Sequence, residues 1–225
     1  MTGDAGRRRG GSRARRALAA LADKGFNFEP DQAERFTTAN GWHVDDYAQP
    51  LPPEPPGPPA PGGSFEVAQR LMADYEFADP AIVRAVYATD SPLERRDMLL
   101  EGRFWGLRFH FGVRVGGLVD EEVAVDGRRL RRWGWNYRTL QGHLEMGQMD
   151  YEVGKWLDSG DVEFRIHAVS RPAHIPNPVI RLGFRLFGRR VQRRFARHAC
   201  QRMARLTAAR ARAGAAAGDP PATSS

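Results

Sequence analysis

The chain has 225 residues, of which 41% are hydrophobic and 27% are charged, a composition that fits one globular domain. No apolar run approaches the roughly 20 residues needed to cross a bilayer, which predicts a cytoplasmic protein without a transmembrane segment. Cys200 is the only cysteine, and this excludes an internal disulfide and a metal site built from thiolates alone.

The basic charge suggests nucleic acid or an anionic surface as a partner. The formal net charge is +7, with a pI near 10.3. Lysine occurs only at Lys24 and Lys155, and arginine is abundant together with alanine, glycine and proline, as a GC-rich coding bias would produce. We therefore interpret the charge as a mostly solvated surface. Specific nucleic-acid binding is not expected, and weak contact with an anionic surface stays open.

Both ends and one internal segment lack apolar periodicity. Residues 1–24 and 207–225 are predicted to be disordered and dispensable for stability, and residues 25–49 form the N-terminal segment of the domain. The proline-rich segment 50–64 cannot donate regular backbone hydrogen bonds at its prolines, so it is predicted to be an extended linker or surface loop. The main domain is expected over residues 65–206.

Two helices are predicted after the proline-rich segment. The first runs from Ser64 to Glu76, with the serine as N-cap and apolar residues at steps of three and four. The second is short and begins near Pro80, because proline is favoured at the first helical position. Its apolar side would consist of Ile82, Val83, Val86 and Tyr87.

From residue 104 the apolar period changes to two, which predicts half-buried antiparallel strands. Turn sequences at 125–129 and 158–161 separate consecutive strands and predict a meander. The residues expected on the inward face are Trp105, Leu107, Phe109, Phe111, Val113, Val115, Trp133, Trp135, Tyr137, Met149, Tyr151, Val153, Val162, Phe164, Ile166, Ala168 and Ser170.

A long C-terminal helix is predicted from about Val179, after prolines that end the sheet. Arginines take several faces of this helix, and an apolar stripe takes another. We interpret the stripe as the side that covers the sheet, in preference to a helix lying on a membrane. The stripe consists of Phe184, Phe187, Val191, Phe195, Ala199, Met203 and Leu206.

These elements and several motifs resemble the DUF1990 family of uncharacterised small proteins, over residues 40–206. The likeness includes a tyrosine strand, a Gly-His-x-Glu-x-Gly turn, a Ser-Arg-Pro strand end and a helical glutamine before an aromatic residue. Leu144 and Gln148 depart from the pattern, since the family usually has a proline and an acid there. The residues that carry the likeness are Tyr137, Gly142, His143, Glu145, Gly147, Ser170, Arg171, Pro172, Gln192 and Phe195.

The resemblance implies an α+β fold in which a curved antiparallel meander sheet wraps a long C-terminal helix, similar to the START or Bet v 1-like helix-grip fold. Such a fold leaves a cavity between sheet and helix, and the aromatic inward face favours a small apolar or lipid-like ligand there. No cofactor is predicted. An interaction protein with a cavity filled by side chains stays open. The predicted ligand-binding residues are Trp105, Phe109, Trp133, Trp135, Tyr137, Met149, Tyr151, Phe164, Ile166, Arg171, Gln192 and Phe195.

The turn at 142–147 carries a histidine and an acid between glycines. His143 and Glu145 supply two potential metal ligands where three or four are needed, so no metal is predicted. Together with Tyr137 they could serve an acid-base enzyme of the cyclase or dehydratase kind that the resemblance allows. We favour a hairpin at the cavity rim, whose glycines provide unusual backbone angles. Arg171 is interpreted either as an ion-pair partner of Glu145 or another acid across the sheet, or as a fork for a ligand carboxylate or phosphate.

Overall fold

The computed structural model describes residues 12–104 and 107–218. Seven strands form one antiparallel sheet in the order β1-β7-β6-β5-β4-β3-β2, and a long C-terminal helix follows the last strand. This arrangement confirms the predicted α+β meander sheet with its C-terminal helix. The strands are β1 (His43–Leu51), β2 (Val83–Val86), β3 (Asp97–Phe104), β4 (Leu107–Val125), β5 (Arg128–Thr139), β6 (Glu145–Trp156) and β7 (Val162–Pro172). The helices are α1 (Ser12–Ala19), α2 (Ser64–Ala73) and α3 (Pro178–Gly218), with single 3-10 turns at Ala33–Arg35 and Thr38–Asn40.

One face of the sheet, here called the inner face, packs against α2 and α3 and contains the main core. Trp135 lies opposite Tyr151, and Tyr151 lies opposite Ile166 on the next strand. Directly paired residues share a face, so the alternation predicted for β5, β6 and β7 is confirmed. Val153 and Phe164 continue this face and are fully buried.

Helix α3 covers the sheet with its second half. Asn177 caps the helix by accepting hydrogen bonds from the backbone N–H groups of Val179 (2.9 Å) and Ile180 (3.1 Å). From Phe195 onward its inward side is buried, as at Met203. The predicted stripe therefore packs firmly only from Phe195, since Phe184, Phe187 and Val191 are half-buried.

The prediction of a second helix near Pro80 is wrong. Residues 83–86 form β2, in which Val83 pairs with Gly102 and Val86 with Leu99. A single turn precedes the strand, with the N–H groups of Ile82 and Val83 donating to the Asp79 carbonyl. Tertiary pairing with β3 overrides the helical spacing of these residues.

The chain before β1 docks on the sheet, which differs from the expectation of a disordered segment up to residue 24. Leu21 is buried on the face opposite the inner one, in a cluster with Val86, Leu99 and Leu140. Arg114 donates to the carbonyl of Leu21 at 2.9 Å and so fixes the turn after α1. Residues 1–11 of the predicted disordered terminus lie outside the described residues.

The proline-rich segment lies mostly on the surface but is anchored at one point. Glu54 is 8% exposed and accepts a hydrogen bond from Lys155 Nζ at 2.7 Å, while Lys155 is 0% exposed. The same carboxylate accepts from the backbone N–H groups of Ala60 and Phe65, each at 2.8 Å. This buried ion pair joins the segment to β6 and sets the start of α2, whose N-cap is Gly63, not Ser64 as predicted.

Helix α3 continues beyond residue 207, where a disordered tail was expected. Thr207 is fully buried, and the Arg210 guanidinium pairs with Glu76. These contacts keep the helix on the body of the protein. Among the described residues, no helix combines the length and apolar character needed to cross a membrane.

Candidate functional site

Three buried tyrosines converge between the sheet and α2, and they are called here the tyrosine cluster. Tyr137 and Tyr151 come from the inner face of β5 and β6, and Tyr75 follows directly after α2 with a φ of 56°. Few bulky residues adopt such an angle. The Tyr75 and Tyr151 hydroxyl oxygens are 3.4 Å apart, and the hydroxyls of Tyr137 and Tyr151 point to Met149 Sδ at 3.5 and 3.0 Å.

The tyrosine cluster offers hydrogen-bond donors without a strong acceptor. Desolvation raises the pKa of Tyr137 to about 12 and the pKa values of Tyr75 and Tyr151 well above 10, so all three stay protonated near neutral pH. A thioether sulfur is a weak acceptor. In the part of the chain that the structure describes, the buried Nε1 of Trp135 also has no hydrogen-bond partner.

Aromatic rings fill the space around the tyrosine cluster. The ring of Phe77 lies 4.7 Å from that of Tyr151 and 5.5 Å from that of Phe164, measured between centroids. Trp135 lies 5.2 Å from Tyr151. A molecule larger than water therefore has to displace a ring to reach the hydroxyls.

A second group of polar side chains lies on the inner face where β1, β6, β7 and α3 meet, and it is called here the polar rim. Arg189 of α3 binds Asp45 of β1 with both terminal nitrogens, one of them at 2.7 Å. It also donates to Gln192 at 3.1 Å, and Gln192 donates to Ser170 Oγ at 2.9 Å. Glu145 lies at the edge of the polar rim, because it precedes by two residues Gly147, which pairs with Ser170 on β7.

The Glu145 carboxyl is poised to change its charge near neutral pH. Desolvation raises its pKa to about 7, although the cation of Arg189 opposes the shift. Among the described residues, no hydrogen bond reaches its side-chain oxygens. Because Arg189 is already bound to Asp45, it compensates little of the cost of burying a second carboxylate.

His143 does not pair with the Glu145 carboxylate. Its Nδ1 accepts the backbone N–H of Glu145 at 2.9 Å, and its ring lies 4.8 Å from that of Phe111. Desolvation lowers its pKa to about 4, so the ring is neutral at neutral pH. The described residues contain no group of three or more His, Cys, Asp or Glu side chains suited to a metal ion.

Arg171 lies away from both groups and, among the described residues, does not pair with Glu145 or another acid, contrary to the ion-pair interpretation. Its side chain is exposed, lies 4.9 Å from the Trp42 ring and donates to Met146 Sδ at 3.0 Å. The cause is strand alternation, because Ser170 faces inward and its neighbour must face outward.

The remaining predicted binding residues differ in how deeply they are buried. Met149, Ile166 and Phe195 are buried in the main core with the tyrosine cluster. Trp133 is half-buried against that core, and Phe109 is half-buried and stacked on Phe111 at 6.0 Å. Trp105 lies outside the described residues.

Sequence reasoning missed three members of these groups. Tyr75 falls within the helix predicted from Ser64 to Glu76, but α2 ends at Ala73 and the turn after it directs Tyr75 to the core. Asp45 lies in the alternating stretch 43–51, which could have indicated a strand with an inward acid. Arg189 precedes Gln192 by one helical turn, so it shares the same side of α3.

A family model described as a domain of unknown function, DUF1990, matches residues 29–202. The chain belongs to the DUF1990 family. In this DUF1990 protein, Glu145, Ser170 and Gln192, which were among the residues that suggested the resemblance, lie together at the polar rim. No curated protein matches the chain. The crystal structure of Ara h 8.0201 is similar, with a TM-score of 0.43 and 10% sequence identity over 75% of this chain and 99% of that one.

The polar rim makes the stability of the DUF1990 protein depend on pH. The pKa of Glu145 is about 7 in the folded protein and 4.5 ordinarily. Its contribution to the stability of the folded state is therefore full below pH 4.5 and is lost as the pH rises through 7. His143 acts in the opposite sense, because its folded pKa, about 4, lies below 6.5 and its contribution is lost as pH falls from 6.5 through 4. Above pH 6.5, only the Glu145 contribution to stability, of these two, still changes with pH.

Glu145→Gln is therefore expected to stabilise the protein at alkaline pH by removing a partly buried charge. At about pH 8 the variant should exceed the wild type in free energy of unfolding by about 1 to 3 kcal/mol, and at about pH 5 the two should be nearly equal. Urea denaturation at both pH values measures the difference. Glu163→Gln, on the opposite face of β7, serves as control and should show no such trend. Equal differences at both pH values would contradict the prediction.

Proposed function

We propose that the protein binds a small, mostly apolar molecule carrying a hydrogen-bond acceptor, between the inner face and the elements that cover it. The observation that carries this proposal is the tyrosine cluster, three buried O–H donors whose partners are one another and a sulfur. Buried donors nearly always have hydrogen-bond partners, and leaving a buried donor without a partner costs about 1 to 3 kcal/mol. A carbonyl or carboxylate oxygen of a ligand supplies the strong acceptor that the hydroxyls lack.

Tyr75 is the member of the tyrosine cluster whose side chain moves when the ligand binds. Tyr137 and Tyr151 are held by strands with neighbours on both sides, whereas Tyr75 lies in the turn after α2. Its left-handed backbone angle stores strain that a rearrangement of the turn would release. The ligand's apolar part then takes the place of the Tyr75 ring against Phe77 and Trp135, which that ring now contacts.

A fatty acid and the fatty amine of the same chain length test the proposal. The acid carries an acceptor oxygen and the ammonium group carries none, so calorimetric titration should detect binding of the acid and much weaker binding of the amine. Tyr137→Phe and Tyr151→Phe keep the rings and remove one donor each. Each variant should bind the acid roughly tenfold more weakly, as expected for a lost hydrogen bond to a charged group.

Tyr47→Phe is the matched control, because Tyr47 lies on β1 and its hydroxyl takes no part in the hydrogen bonds of the tyrosine cluster. This variant should bind the acid like the wild type. Failure of the wild type to bind the acid, or unchanged affinity in both cluster variants, would refute the proposed site.

A second candidate function, proton transfer, is favoured by the Glu145 pKa of about 7. A carboxyl that titrates near the working pH is suited to general acid-base catalysis. Tyr137 is near enough for the Glu145 charge to raise its pKa, whereas His143 is neutral and bound to backbone. Exchange of deuterium at carbon atoms next to the carbonyl of a bound ligand tests this function. Glu145→Gln should abolish exchange and preserve ligand affinity.

A further inference from the structure

The first half of α3 presents large apolar side chains to solvent. Val179 is 77% exposed, Leu182 59% and Leu186 57%, and Ile180 beside them is 40% exposed. The steps of three and four residues place Val179, Leu182 and Leu186 on one face of the helix. Among the described residues, the remaining large apolar side chain with comparable exposure is Val125, at 38%, at the far end of β4. The exposed apolar surface is thus concentrated on two turns of one helix.

Arginines continue the same face toward the C-terminus. Arg190, Arg193 and Arg197 follow Leu186 at steps of four, three and four, and with Arg194 they line a shallow surface depression. Within the described part of the chain, none of these four arginines lies within 4.0 Å of an acidic group. Helix α3 contains no aspartate or glutamate at all. Their charge is therefore not neutralised by the protein.

The four arginines of this face are exposed, and Arg193 and Arg197 lie on the side of α3 next to β1. The buried side of α3, with Phe195, Ala199 and Met203, is turned to the sheet and α2. Arg189 belongs to that inward side and pairs with Asp45. The apolar ridge and the four arginines thus form one continuous outward surface over residues 179–197, here called the outer α3 face.

We propose that the outer α3 face docks on an anionic lipid membrane surface. A helix at a membrane interface buries its apolar side chains about 5 to 10 Å into the headgroup and acyl boundary while its cations contact phosphates. Leu186 and Arg193 are separated by about 10 Å along the helix, so a tilted helix places the ridge below the phosphate level and the arginines at it. A second copy of this face would bring unneutralised arginines together with no acidic residue of α3 to pair with them, so charge favours the lipid surface.

Vesicle flotation tests the proposal with the full-length protein. The wild type should float with phosphatidylcholine vesicles that contain phosphatidylglycerol and stay in solution with phosphatidylcholine alone. Leu182→Ser combined with Leu186→Ser should lower the partition coefficient roughly tenfold, since two apolar side chains no longer enter the interface. Arg193→Gln should lower it about fivefold, and raised salt should weaken binding of the wild type.

Two variants serve as controls. Val125→Ser removes an exposed apolar side chain at another site, and Arg205→Gln removes an exposed charge from the second half of α3. Both should float like the wild type. The proposal is overturned if the wild type does not float with anionic vesicles, or if the double leucine variant binds them as tightly as the wild type. It is also overturned if the wild type forms a dimer that the leucine substitutions dissociate, because the face is then a self-interface.

Discussion

Replacing Glu54 with alanine is expected to lower the free energy of unfolding by about 3 to 5 kcal/mol. The substitution leaves the ammonium of Lys155 fully buried, with the Pro58 carbonyl at 2.8 Å as its remaining acceptor. It also removes the acceptor for the backbone N–H groups of Ala60 and Phe65, the second of which lies in the first turn of α2. Urea denaturation of wild type and variant at one pH measures the loss.

An exposed ion pair provides the comparison. Asp158→Ala removes the carboxylate that Arg128 binds at 2.7 Å on the surface, and this should destabilise the protein far less than Glu54→Ala, because solvent screens the pair. Glu54→Leu combined with Lys155→Met removes both buried charges and should recover part of the stability lost in Glu54→Ala. A Glu54→Ala effect no larger than that of Asp158→Ala would show that the buried pair is not required.

Gly147→Ala is expected to destabilise the protein by about 3 to 5 kcal/mol. Gly147 has a φ of 152°, and a Cβ built on it lies 2.0 Å from the Val169 carbonyl oxygen and 2.9 Å from Ser170 Cα. Both are backbone atoms of β7, so they can move away only if the two strands separate. Because Ser170 belongs to the polar rim, that separation should also disturb the rim. Thermal denaturation followed by circular dichroism measures the effect.

Gly142→Ala, in the turn before β6, is the matched control. Gly142 also has a positive φ, of 88°, but the nearest atom to its built Cβ is the flexible Lys24 Nζ at 3.4 Å. The expected cost is therefore only the backbone strain of about 1 to 2 kcal/mol. If the two glycine substitutions cost the same, the close approach of β6 and β7 is not what requires Gly147.

The sequence allowed prediction of the features that depend on local period. Alternation placed Trp135, Tyr151 and Phe164 on one face before any pairing was known, and the structure confirms that face. The positive φ angles of Gly142 and Gly147 likewise agree with the predicted turn. Such features are encoded within a few residues, because side-chain direction repeats every second position in a strand.

Features that depend on distant partners were missed. Glu54 stands among prolines and looks like a surface acid, and its burial depends on Lys155, a lysine on β6. The polar rim likewise depends on Asp45 meeting Arg189 across the domain. Residues 83–86 have helical spacing but pair with β3 as a strand. No short window of sequence contains the partner that decides these cases.

The pairing of β1 with β7 has a consequence for synthesis of the chain on the ribosome. β1 is the first strand to be synthesised, whereas its pairing partner β7 is the last. His43, for example, pairs with Ser170. The residues of α3 that cover the inner face, from Phe195 onward, emerge later still. Contacts of such high sequence separation slow folding, and until they form the nascent meander exposes its aromatic face. The sheet can thus be completed only after β7 has been made, and chaperones that shield apolar surface should associate with the chain until α3 has emerged.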